Sequence, residues 1–315
     1  MLAVLGITLP IYLAVLAGFG TTKAGLFQRE HMKVFSRFVV YIALPATVFT
    51  AVAGRDFDEI IDPTYVAANA LGSLVVIGIA LFYGRVLSRR SLTSAAYDAM
   101  GAVCPNSGFI GYPLMLLVLP TVAAPAVGMD MIVENVLLIP LTLTLMEVGA
   151  GGATAGTVVR IAAQRMVRQP LLWAIAAALT VSISGLQLPA VLTDIVGMFA
   201  QAATAVALFT VGGLLTGLNI SGAVMRLVVG TVLKLLIHPA ALALAALGLT
   251  ALGMPELSPE LFAALVLTGA LPALSVFPTF ALRHGEEQHA SAALMTTTVL
   301  SFVTITGLLT LFDLV

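Results

Sequence analysis

The sequence predicts an all-α integral membrane protein with ten transmembrane helices in two inverted repeats of five. Three observations predict this class. Hydrophobic residues make up 60% of the 315 residues and charged residues only 9%, whereas a soluble chain carries about 25% charged residues. The mean hydropathy is +1.10. The few charges divide the chain into apolar blocks of the length that crosses a bilayer, about 20 residues.

The same composition excludes several classes of protein. Charged side chains this sparse could not cover the surface of a soluble enzyme of this length. No basic stripe is present, so we expect no nucleic-acid partner. The single cysteine, Cys104, excludes a disulfide framework and a cysteine-based metal cluster. No histidine or acidic run has metal-ligand spacing, and no glycine-rich phosphate loop precedes a helix, so we expect no metal, cofactor or direct use of ATP.

The apolar blocks give the ten helices in chain order. No basic region precedes the first block, so we interpret it as a retained helix and not as a signal peptide. The blocks cover residues 2–22, 36–54, 63–84, 99–120, 123–146, 169–189, 190–218, 225–250, 261–282 and 290–312.

Charges in the loops predict the orientation of these helices. Basic residues follow the odd-numbered helices, whereas Arg55 is the one Lys or Arg in the even-numbered loops. Because Lys and Arg favour cytoplasmic loops, we expect a multi-pass protein of the cell (inner) membrane with both termini on the non-cytoplasmic side. The basic residues of the odd loops are Lys23, Arg29, Lys33, Arg37, Arg85, Arg89, Arg90, Arg160, Arg165, Arg168, Arg226 and Arg283.

A glycine-rich connection near the middle divides the chain into two halves. Residues 148–169 are predicted to be a cytoplasmic linker between a first repeat, 1–147, and a second repeat, 170–315. Five spans in each half require the halves to insert in opposite senses. Inverted repeats of this kind are typical of secondary transporters.

Prolines interrupt spans four and nine near their middles, at corresponding places in the two halves. Proline removes a backbone donor and displaces the carbonyl four residues before it, and the freed groups cannot face lipid. Such paired breaks predict a substrate site; the alternative is two kinked helices, since Pro and Gly are common in membrane helices. The predicted substrate-binding residues are Pro105, Asn106, Ser107, Gly108, Gly111, Pro113, Pro272, Ser275 and Pro278.

Ionisable residues within the spans are candidates for binding a coupling proton or sodium ion. Asp130 and Glu134 lie four residues apart, on one helical face, and Asn135 follows directly. Lys234 and His238 are spaced in the same way in span eight. Proton coupling, sodium coupling and uniport all stay open.

Three of these residues also have an interpretation without a coupling role. Asp130 would then lie in the outer interface, Lys234 would extend towards the aqueous side, and His238 would be a packed, hydrogen-bonded residue. Asn69 in span three is interpreted as an interhelical hydrogen-bonding residue.

Four stretches of the chain resemble the auxin efflux carrier family, which includes bacterial malonate-type carriers and is similar to plant PIN proteins. These are residues 9–11, 38–45, 106–113 and 234–239, which read LPI, FVVYIALP, NSGFIGYP and KLLIHP. The resemblance implies ten helices, and a scaffold domain beside a transport domain in which the broken helices cross. It also implies carriage of organic anions and a homodimer formed through the scaffold helices.

The leading hypothesis is therefore a secondary active transporter, and not an enzyme, that moves malonate or another small carboxylate by alternating access. Half-helix N-termini would offer amides and positive dipole ends to the carboxylate, and Asn106 would donate a hydrogen bond to it. One alternative is an intramembrane enzyme using Asp130 and Glu134 as acid and base, although no nucleophile–histidine pattern accompanies them. The other is a membrane receptor, which would not need paired breaks.

Overall fold

The computed structural model describes residues 2–53, 61–151, 170–184, 188–217, 224–275 and 286–314, together with Val167, Phe277 and Pro278. Most of the predicted linker and several loop charges used to predict the orientation lie outside the described residues. These charges are Arg55, Arg160, Arg165, Arg168 and Arg283.

The described residues are almost entirely helical, with one isolated β-bridge and no sheet. Among these residues, six helices are plain α-helices: α1 (Leu2–Lys23), α4 (Leu92–Val103), α7 (Pro170–Ser184), α8 (Ala190–Leu215), α10 (Pro259–Ala270) and α11 (Glu287–Leu311). Two further described helices have a π-helical turn at one end: α3 is Pro63–Phe82 followed by a turn at Tyr83–Leu87, and α5 is a turn at Ser107–Gly111 followed by Tyr112–Val118. Three described helices have a π-helical turn between two α-helical parts: α2 is Arg29–Phe38, a turn at Val39–Ala43 and Leu44–Val52; α6 is Ala123–Val133, a turn at Glu134–Leu138 and Ile139–Gly149; and α9 is Val224–Val232, a turn at Leu233–Ile237 and His238–Ala251.

Six of the described helices are long and apolar enough to cross a membrane. They correspond to predicted spans two, three, five, seven, eight and ten, and shorter apolar helices occur within spans four, six and nine. Spans two and four start too late in the prediction: their helices begin at Arg29 and Leu92. Polar residues open both helices, so hydropathy marks the apolar part of each helix and misses its first turns.

Four of the five π-helical turns have a common cause in the sequence. Each is followed, after one residue, by a proline: Pro45, Pro113, Pro140 or Pro239. The carbonyl that a proline ring displaces lies four residues before it, which is the middle residue of each turn. The helix widens there instead of breaking. Such turns are frequent at functional sites.

The helices pack in two groups. Helices α1, α2, α7 and α8 form one group; α3, α4, α6, α9, α10 and α11 form the other; and α5 contacts both. Small residues permit the closest approaches: a Cβ at Gly212 in α8 would overlap the Val15 carbonyl oxygen of α1. Each group contains helices from before and after residues 148–169. The extent of the two predicted repeats stays a prediction.

Candidate functional site

The two helix breaks meet in the middle of the molecule. The non-helical residues Cys104–Asn106 separate α4 from α5, and the chain is extended at Leu271 after α10. Pro105 and Ala273 form an isolated antiparallel bridge. The Asn106 N–H donates to the Pro272 carbonyl at 2.9 Å, and the Leu274 N–H donates to the Cys104 carbonyl at 3.0 Å. Backbone groups freed by the prolines thus pair with each other, away from lipid.

Asn106 is completely buried at this crossing. Its Nδ2 donates to Ser275 Oγ at 2.5 Å, and its Oδ1 is buried with no hydrogen-bond partner among the described residues. In this state one of the two amide hydrogens of Asn106 is donated to Ser275, whereas the sequence predicted donation to a substrate. Because a serine hydroxyl both donates and accepts, a 180° turn of the amide keeps the Ser275 bond and directs NH2 towards the free position.

The remaining predicted substrate residues surround the crossing. Ser107 donates to Glu134 Oε1. Gly111 leaves room for its neighbour, since a Cβ there would lie 2.6 Å from Leu271 Cδ1. Pro105, Gly108, Pro113 and Pro272 are buried, whereas Pro278 is half-buried beyond the break.

Asp130 is fully buried and accepts three hydrogen bonds. Its donors are Tyr65 Oη at 2.9 Å, Asn69 Nδ2 at 2.8 Å and Thr268 Oγ1 at 2.6 Å. Asp130 is therefore enclosed by the helix group, and its depth in the membrane stays a prediction. The interhelical hydrogen bond expected for Asn69 is confirmed, since it joins α3 to α6.

Glu134 is also buried, but its one hydrogen bond among the described side chains comes from Ser107. This bond joins the π-helical turn of α6 to the first turn of α5, so Glu134 is directly attached to the crossing. The adjacent Asn135 is half-buried, and its Nδ2 donates to the Met131 carbonyl of its own helix at 2.8 Å.

Lys234 is completely buried in α9. Its Nζ lies 3.2 Å from His238 Nδ1, and His238 Nε2 lies 2.9 Å from Ser73 Oγ on α3. The alternative in which Lys234 extends to the aqueous side is wrong, because the side chain remains inside the helix group. His238 is hydrogen-bonded on both ring nitrogens.

The sequence interpretation missed three residues of this polar interior: Tyr65, Ser73 and Thr268. Tyr65 and Ser73 flank Asn69 at spacings of four, so the three form a polar stripe along one face of an apolar helix. That stripe is a signal the sequence did contain. Among the described residues, no group of three or more His, Cys, Asp or Glu side chains could hold a metal ion.

Long apolar helices, paired breaks and buried charges together define a membrane protein of the transporter class. A family model described as "Membrane transport protein" matches residues 3–309. The chain therefore belongs to this family of membrane transport proteins, the auxin efflux carrier family that its motifs resemble.

Two relatives match over nearly the whole chain. The "Putative malonate transporter" of Rhizobium meliloti is 26% identical over 311 residues, covering 98% of this chain and 96% of that protein. The "Uncharacterized transporter YfdV" of Escherichia coli is 26% identical over 305 residues, covering 95% and 94%. The family and these relatives are named as transporters and not as enzymes, which fits the expectation that this chain is not an enzyme.

Proposed function

We propose that the protein is a secondary active transporter that carries a small organic anion by alternating access, with the substrate carboxylate bound where the two broken helices cross. The observation that carries the proposal is Asn106, a fully buried amide with one unpartnered polar atom at this crossing. Buried polar groups in proteins are nearly always hydrogen-bonded, so a buried polar atom without a partner at a helix break is a suitable place for a ligand to form a hydrogen bond.

The chemistry of the crossing favours a carboxylate. Helix α5 begins there, and the first amides of a helix lack intrahelical acceptors and carry the positive end of the helix dipole. A turned Asn106 amide adds a neutral donor beside them. The malonate named for the Rhizobium meliloti relative is a carboxylate of this kind.

The two packing groups supply the parts that alternating access needs. We assign α1, α2, α7 and α8 to a scaffold, and α3, α4, α6, α9, α10 and α11 to a transport domain that carries the crossing. In this proposal the chain has ten membrane spans in two inverted repeats and lies in the cell membrane with both termini outside. It forms a homodimer through the scaffold.

Glu134 is the proposed coupling group. It is attached to the crossing through Ser107, so a change in its protonation changes a hydrogen bond in the first turn of α5. Binding of the substrate and binding of a proton are then linked through one contact. Sodium coupling and uniport are the alternatives to this proton symport.

Reconstitution into proteoliposomes tests the proposed function. Vesicles containing the purified protein are given labelled malonate and a series of other carboxylates, with and without a pH gradient. Saturable, time-dependent accumulation of an unchanged carboxylate is the expected result. Chemical conversion of the compound without accumulation would indicate an enzyme, and binding without either would indicate a receptor.

A further inference from the structure

Three side chains that carry charge are buried together in the interior of the proposed transport domain: Asp130, Glu134 and Lys234. Asp130 and Lys234 are 0% exposed and Glu134 is 4% exposed. Lys234 acts electrostatically on both carboxyl groups. Within the described residues, however, no salt bridge joins Lys234 to either carboxylate. Any connection between these charged groups must therefore run through the neutral side chains that lie between them.

A chain of hydrogen bonds connects Lys234 to Asp130. Lys234 Nζ lies 3.2 Å from His238 Nδ1, and His238 Nε2 lies 2.9 Å from Ser73 Oγ. Ser73 Oγ donates to Asn69 Oδ1 at 3.3 Å, and Asn69 Nδ2 donates to Asp130 Oδ1 at 2.8 Å. All five side chains are buried.

The donors in this chain have a single consistent direction. With Lys234 as an ammonium group, which has only donors, His238 Nδ1 accepts and its Nε2 carries the hydrogen. His238 then donates to Ser73, Ser73 to Asn69, and Asn69 to the carboxylate. Hydrogen bonds that point from a cation to an anion polarise one another and favour the charged form at both ends.

The charges of the interior balance when one of the two carboxyl groups binds a proton, and Asp130 is held in its charged form by three hydrogen-bond donors, so Glu134 is the group that binds it. Lys234 and Asp130 together sum to zero, whereas an ionised Glu134 would leave one uncompensated negative charge. An unpaired charge in a buried site is strongly unfavourable. The titratable groups that face Glu134 are Tyr65 from α3, Cys104 at the end of α4, Asp130 on its own helix, and Lys234.

We propose that Lys234 and Asp130 form a fixed charge pair, joined through His238, Ser73 and Asn69, and that Glu134 is consequently the single exchangeable proton site. This inference rests on the proposed transport function. In each cycle an O–H bond forms at Glu134 with a proton from one aqueous side, and it breaks to release that proton to the other side. The fixed pair stays charged throughout.

A charge-balance experiment tests this assignment in proteoliposomes. Two readouts are compared: accumulation of labelled carboxylate driven by a pH gradient, and exchange of labelled for unlabelled carboxylate at equal pH. Glu134→Gln removes the exchangeable proton, so accumulation is lost and exchange is retained. Asp130→Asn leaves Lys234 to balance Glu134, so accumulation is again lost.

The double variant carries the decisive result. Asp130→Asn combined with Lys234→Met removes both fixed charges and leaves Glu134 as in the wild type, so we expect gradient-driven accumulation to return. A double variant that exchanges substrate but accumulates no more than Asp130→Asn alone would overturn the proposal. Accumulation driven by a sodium gradient at equal pH would also overturn it, by assigning the site to Na⁺.

A variant that changes no charge tests the connecting chain itself. Ser73→Ala interrupts the chain between His238 and Asn69, so we expect accumulation to fall while exchange persists; full accumulation would contradict the chain. Thr231→Val is the matched control, because it removes a buried hydroxyl in α9 that has no hydrogen-bond partner among the described residues. It should leave both readouts unchanged. Absence of any carboxylate exchange by the wild type would instead refute the proposed function.

Discussion

The two buried carboxyl groups of α6 differ in how firmly the surrounding side chains hold them. Asp130 accepts from three donors on two other helices, whereas Glu134 accepts from Ser107 alone among the described side chains. A carboxylate with several donors is stabilised in its charged form. One donor leaves Glu134 able to gain and lose a proton as its surroundings change. Two carboxyl groups on one helix therefore need not have the same role.

Asn106→Ala is predicted to weaken substrate binding while leaving the helices folded. A hydrogen bond to a charged group contributes about 1.5–3 kcal/mol, which corresponds to roughly a ten- to hundredfold loss of affinity. The measurement is the half-saturating carboxylate concentration for exchange in proteoliposomes. Gln201→Ala, which removes an exposed amide from α8, is the control. Equal half-saturation in wild type and Asn106→Ala would make Asn106 a structural residue.

At the scale of the elements, the sequence predicted the helix breaks but not which groups form hydrogen bonds with the backbone atoms that the breaks leave free. Local proline chemistry specifies that spans four and nine are interrupted, because it acts within four residues of each proline. That Asn106 bonds to Pro272 depends on where a segment 166 positions away (272 − 106) lies in the fold. Likewise, His238 stood out in the sequence, whereas its pairing with Ser73 on another helix became visible only in three dimensions. Contacts between distant segments are the part that local patterns do not encode.

Gly269→Ala is predicted to disturb the packing of α10 on α9. A Cβ at Gly269 would lie 2.6 Å from Pro239 Cα and 2.7 Å from Pro239 N, so the two helices must separate. That movement would also pull Thr268 from Asp130. Overpacking of this kind typically costs about 1–3 kcal/mol. We expect a lower melting temperature in detergent and slower exchange.

Gly230→Ala provides the matched control for that prediction. Apart from the neighbouring backbone of α9 itself, no heavy atom of the described residues lies within 4 Å of a Cβ added at Gly230, and alanine is a better helix former than glycine by about 1 kcal/mol. Its melting temperature should equal or exceed that of the wild type. A Gly269→Ala protein as stable and active as Gly230→Ala would show that the close approach of α9 and α10 is not required.

At the scale of the whole molecule, the orientation follows from loop charges and can be tested by labelling. In a Cys104→Ala background, which has no other cysteine, Asp58→Cys should react with a membrane-impermeant thiol reagent in intact cells. Arg89→Cys should react only after permeabilisation. These expectations follow from the excess of Lys and Arg in the odd-numbered loops. The reverse pattern would invert the orientation.

Access to the crossing from both sides of the membrane is the most direct test of alternating access at this site. Ser275→Cys in the Cys104→Ala background places a thiol beside Asn106, where Ser275 is half-buried. An impermeant thiol reagent added to the external medium should modify it through the outer face of the membrane in right-side-out vesicles and through the cytoplasmic face in inverted vesicles. A transported carboxylate should slow both reactions. Reaction from one side only, or rates unaffected by saturating carboxylate, would contradict carriage of the substrate through the crossing.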